Sequence, residues 1–177
     1  MRKQWIVLGT AIVVCAAAAC LGYRHSTSPV QITNEALSSL ANDYNKVQAM
    51  AYTGMVELDW TDSIEVGGTL FFRVNDPELQ TMADFKEVLN RVYVPSKAEE
   101  ILSYCTETTS VLTEKDGVLY RADTYEMGWP LEPKANAAQR EGDTITADIT
   151  LAYNEPTPGI LTLQKEAGVW KISDLSM

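Results

Sequence analysis

The spacing of apolar positions changes twice along this chain. From Thr33 to Met50, residues Ala36, Leu37, Leu40, Ala41, Tyr44 and Val47 recur at intervals of three and four, which gathers them on one helix face, and Thr33 or Asn34 can cap that helix. The segment "MVELDW" alternates instead, "TDSIEVGG" concentrates turn residues and acids in an expected loop, and "TLFFRV" predicts a strand that stops at Asn75, Asp76 and Pro77. Helical spacing returns from Thr81 to Arg91, with Met82, Phe85, Val88, Leu89 and Val92 on one face and Thr81 as the cap. Pro95 and Ser96 open a further helix that turns Ala98, Ile101 and Leu102 inward.

After Cys105 the period drops to two. "TSVLTE" and "VLYRAD" flank "KDG", and Asp116-Gly117 suits the type I′ turn of a hairpin. "KANAAQRE", "TITADITLAY", "GILTLQKE" and "GVWKISDL" follow, separated by short turns at Gly142-Asp143, "NEPTPG" and Ala167-Gly168, so neighbouring strands run antiparallel. Helices first and a meander afterwards predict an α+β fold, with the N-terminal helices packed on one face of a curved antiparallel β-sheet.

The N-terminus does not belong to that pattern. Arg2 and Lys3 precede a run without acids, "QWIVLGTAIVVCAAAACLGY", so residues 1–20 read as an export signal. The small residues Ala16 to Ala19 before Cys20 resemble the bacterial lipoprotein cleavage box, which makes Cys20 the lipid attachment site. Cys15 suits it less, because Val13 and Val14 precede it. A run of about 20 residues also suffices to span a bilayer as an uncleaved helix, and both alternatives stand. Residues 21–30 form a polar tether, and residues 31–177 form a single extracytoplasmic domain anchored to the cell membrane of a bacterium.

Charge narrows the partners. The chain carries a net −10, and losing Arg2 and Lys3 with the signal increases the acid excess. Nucleic acid and anionic headgroups repel such a domain, whereas a positively charged protein surface attracts it. With Cys20 lipidated, Cys105 is the one cysteine of the domain, which excludes an internal disulfide and suits a buried thiol.

The chemistry that is missing excludes more. His25 is the only histidine and lies in the tether, so neither an imidazole-based nucleophile nor a typical zinc site fits the domain. "VGG" at 66–68 is a turn and not a phosphate loop. Glu57 and Asp59 share a strand face and Asp62 and Glu65 lie beyond, but no neighbouring aromatic sugar platform marks them as a glycosidase pair. "DWTDSIE" departs from the spacing of a calcium loop and lacks its central glycine. The acids read as a solvated loop, and the protein as a non-enzyme with no catalytic residue, metal or cofactor.

The order "FFRVNDPELQTMADFKEVLNRVYVPSKAEEIL", "LTEKDGVLYRAD", "GW" and "GVWKISDL", over roughly residues 69 to 175, resembles the IseA type of DL-endopeptidase inhibitor. Those exported bacterial proteins bind cell-wall hydrolases with a papain-like cysteine active site and block peptidoglycan cleavage. The resemblance implies that the strand holding Gly117, Leu119 and Tyr120 leads into an acidic loop that engages the peptidase. That loop starts at Ala122 and Asp123 and ends at Trp129. Asp123 is the first acid expected to make contact and Glu126 the second, with Tyr125, Met127 and Trp129 as apolar anchors. Thr124 and Tyr125 stand where the family has glycines, which implies a stiffer loop. An acidic loop suits a cleft that binds acidic stem peptides. A different packing places Trp129 over the open end of the sheet; Trp170 reads as core, and Leu119 and Tyr120 take opposite faces.

A helix pair, a curved sheet and a closing "VWKI" strand also resemble cone-shaped domains like nuclear transport factor 2. That resemblance implies a ligand or peptide held between helices and sheet, through inward positions such as Phe72, Phe85 or Tyr153.

Overall fold

The computed structural model describes residues 28–124, 134–152 and 156–176. Ser28 starts the first helix, α1 (Pro29–Gln48): its side chain accepts from the Gln31 amide at 3.2 Å, and Pro29 fills the first helical position, where a missing N–H costs nothing. The start therefore lies ahead of the expected Thr33 or Asn34. Thr33 is fully buried, and its hydroxyl donates to the Pro29 carbonyl at 2.7 Å, inside the helix. A wider π turn, Ala49–Thr53, continues α1 and ends at Gly54.

Thr81 caps α2 (Met82–Val92) as expected, in a reciprocal box with Asp84. Pro95 opens α3 (Pro95–Ser103), and the π turn after it, Tyr104–Thr108, buries the Cys105 thiol. Among the described residues no helix is long and apolar enough to cross a membrane; Cys20 and the rest of residues 1–27 lie outside them.

The strands are β1 (Leu58–Val66), β2 (Thr69–Val74), β3 (Leu112–Lys115), β4 (Val118–Ala122), β5 (Ala135–Glu141), β6 (Thr144–Ala152), β7 (Pro156–Glu166) and β8 (Val169–Ser176). The α+β class is as the sequence predicts, but the strands divide into two four-stranded antiparallel sheets, ordered β1-β2-β4-β3 and β5-β6-β7-β8. Two expected loops are strand. "TDSIEVGG" pairs as far as Val66, because a bulge between Asp59 and Ser63 absorbs its polar residues: the Asp59 carboxylate accepts the Thr61 amide at 2.9 Å and hydroxyl at 2.7 Å. "NEPTPG" pairs with β6 from Pro156 onward, since β8 begins pairing with β7 only at Ile160 and the prolines have no second neighbour to supply with an N–H. The hairpin at Asp116-Gly117 forms as predicted, with φ of 52° and 74°.

One main core unites these layers. Leu37, Leu40, Tyr44 and Val47 of α1 and Phe85, Val88, Leu89 and Val92 of α2 join Ile145, Ile149, Leu161, Leu163 and Ile172 of the second sheet, while Leu58, Val74, Leu112 and Leu119 add one face of the first. The other face of the first sheet carries a small cluster of Phe71, Tyr120 and Ala122, so Leu119 and Tyr120 do take opposite sides. Trp170 is not interior: it is half-buried at the core's edge, with the Arg140 guanidinium 5.3 Å and the Lys165 ammonium 5.7 Å from its ring.

Tyr44 and Tyr93 bring hydroxyls into that core, with ring centroids 6.4 Å apart. Burial pushes both phenols above the usual tyrosine range; Tyr52 raises both further, and Tyr44 also raises Tyr93. Below about pH 10 folded and unfolded chains are equally protonated at these sites; above it only the unfolded chain ionises freely, so stability falls as pH rises. Alkaline unfolding followed by circular dichroism is expected to coincide with the rise in tyrosinate absorbance. Tyr44→Phe is expected to move that midpoint to higher pH.

Candidate functional site

Alternation along β4 sends Leu119 and Arg121 to the core side and Tyr120 and Ala122 to the other. An arginine in a core-facing place needs acceptors, and this one, 1% exposed, finds them in the backbone. Its Nε donates to the Met50 carbonyl at 2.8 Å, and Nη1 donates to the carbonyls of Ala122 at 2.7 Å and Thr124 at 3.0 Å. The guanidinium thus ties the π turn after α1 to the end of β4. Gly54 lies against the same point: its φ is +66°, and a Cβ there would stand 2.8 Å from the Thr124 carbonyl oxygen and 2.9 Å from Arg121 Nη1.

This lock decides where the expected recognition loop begins. The Thr124 amide donates to the Ala122 carbonyl at 2.8 Å, a three-residue turn centred on Asp123. Asp123 itself is exposed. Tyr125, Glu126, Met127 and Trp129, like Cys20 and Tyr153, lie outside the described residues. Sequence reasoning passed over Arg121, although the signal was present: it has the parity of Leu119 in an alternating strand.

Beside Gly54 an open groove of about 350 Å³ is lined by Asn45, Lys46, Met55, Glu57 and Asn75 among others. Two of its charged groups are already engaged: Lys46 pairs with Glu78 outside the lining, and the Glu57 carboxylate accepts from the Asn75 side-chain amide at 2.7 Å. Met55 on its rim is 78% exposed.

One exposed aromatic side chain lies on the same strand as the acids of β1. Trp60 is 60% exposed and its ring lies 4.7 Å from that of Phe72. It does not converge with Asp59, since Asp59 pairs with Arg73 and Phe72 with Ser63, on opposite faces. Asp62 is turned toward the far face, accepting the Tyr120 hydroxyl at 3.2 Å and standing 3.7 Å from Arg73 Nη1. Burial and the Asp62 carboxylate push the Tyr120 phenol up, while bonds from the Thr61 hydroxyl and amide hold the Asp59 carboxyl low. Both acids serve local structure. Among the described residues no group of three or more His, Cys, Asp and Glu side chains is placed to hold a metal ion.

Fold and site together define a class: an α+β protein with two antiparallel sheets, in which a buried guanidinium fixes the point where the chain leaves β4. No protein-family model matches the chain, and no curated protein matches it either.

Proposed function

We propose that this protein is a non-enzymatic, membrane-anchored inhibitor of a peptidoglycan DL-endopeptidase with a cysteine active site and a basic surface, acting by occlusion of the peptidase cleft. The observation that carries the reading is the Arg121 lock, which presents Asp123 outward from a fixed base. A preorganised base lowers the entropy lost on binding. Glu126 extends the acidic stretch, and Tyr125, Met127 and Trp129 supply the aromatic and sulfur-bearing side chains that dominate interface energies. The net charge of −10 favours a cationic partner, and lipidation at Cys20 would hold the domain where cell-wall hydrolases work. The cone-shaped ligand binder has less support, because Phe85, one of its expected cavity positions, is fully buried in the core.

The test is hydrolysis of purified peptidoglycan by cysteine-type DL-endopeptidases, with and without the full chain in detergent, at low and high salt. Dose-dependent inhibition that weakens as salt rises is expected, since exposed charges are screened. Reversing both Asp123→Lys and Glu126→Lys is expected to weaken inhibition about tenfold or more. Unchanged inhibition by that variant would remove the loop from the mechanism; no inhibition of several such enzymes would remove the function.

A further inference from the structure

Register places the β1–β2 hairpin at the same end of the first sheet as Asp123. Phe71 pairs with Ala122, so the chain leaves β4 at the level of Leu70, and Leu70 pairs with Glu65 on the edge strand β1. On this hairpin Leu70 is 49% and Trp60 60% exposed. Both share a face with Phe72, which stands between them and is itself half-buried against the main core. The patch is therefore apolar, continuous and seated on rigid structure. Its nearest charges are anionic: Glu65 stands beside Leu70 on the same face, and Asp123 follows β4 at the same end of the sheet, while Asp59 and Asp62 face the other side. Arg73, the one base on β1 and β2, is occupied by Asp62. The bulge at Trp60, held by the bonds from Thr61 to Asp59, breaks the strand's regular pairing and opposes use of β1 as an edge for strand addition.

We infer that the Trp60–Leu70 face of the β1–β2 hairpin is a second docking element, and that its occupant is a cationic protein surface with an apolar patch, flanking the cleft of the peptidase that the proposed function names. The inference rests on that reading. An apolar centre rimmed by charge is the composition of a specific interface, and a tryptophan already ordered by Phe72 loses little freedom on contact. A lipid surface is the poorer occupant, because anionic headgroups repel the same acids that attract a basic protein.

The experiment combines amide hydrogen exchange of the full chain in detergent, with and without the peptidase, and the affinity of the Trp60→Ala, Leu70→Ser variant. Expected are slowed exchange across residues 58–72 in the complex and an affinity reduced roughly thirtyfold. Circular dichroism checks that the variant is folded, and the exchange measurement needs no variant at all. Wild-type affinity in the variant together with unchanged exchange across 58–72 overturns the hairpin's role and leaves the inhibitor reading intact. Absence of any complex with the wild-type chain overturns both.

Discussion

Replacing Arg121 with methionine is expected to lower stability by about 3 kcal/mol, a fall in Tm of roughly 6–12 °C for a domain of this size. Methionine fills a comparable volume, so cavity formation contributes little; the loss is that of charged donors to the carbonyls of Met50, Ala122 and Thr124. Hydrogen bonds from a charged group each contribute about 1.5–3 kcal/mol, but removing the guanidinium also removes the cost of burying it, so the total stays well below their sum. Arg121→Lys retains the charge and gives up the planar fork that reaches acceptors on separate segments, and about half the loss is expected. Thermal melts and urea titrations check both. A methionine variant within about 0.5 kcal/mol of wild type, the range of an ordinary surface change, would mean that the lock holds nothing together.

Gly54→Ala is expected to cost about 2–4 kcal/mol. A left-handed residue other than glycine is disfavoured by about 1–2 kcal/mol on backbone grounds alone. The remainder comes from the methyl group, placed 2.8 Å from the Thr124 carbonyl oxygen and 2.9 Å from Arg121 Nη1, where one of them has to move. The two substitutions disturb one contact, so the double variant is expected to lose less than the sum of the singles in a urea-based mutant cycle. Strict additivity would mean that Gly54 and Arg121 act separately.

Much of the fold was legible because the informative residues act locally. Thr81 and Asp84 cap α2 from within four positions of one another, and Asp116-Gly117 turns its hairpin wherever the strands go. The split into two sheets was not legible, because β6 and β7 alternate in the same way whether or not their sheet continues into the first. Neither was the bulge in β1, since the polar run from Thr61 onward reads as a loop until the bonds between Thr61 and Asp59 are in view. At the site, Asp123 was legible as an acid at a strand's end. Arg121 was not, because a basic residue beside Tyr120 suggests solvent unless its parity with Leu119 is given more weight than its charge.

The bond from Arg121 to Met50 joins residues 71 positions apart. Contacts of that span form after helices and hairpins, whose partners are near in sequence, because the intervening chain must first be ordered. The junction between the end of β4 and the turn after α1 is therefore completed late, when both flanking elements already exist. A late contact does little for the speed of folding and much for the lifetime of the folded state. The guanidinium thus acts less as a guide to the native structure than as a latch that keeps it closed.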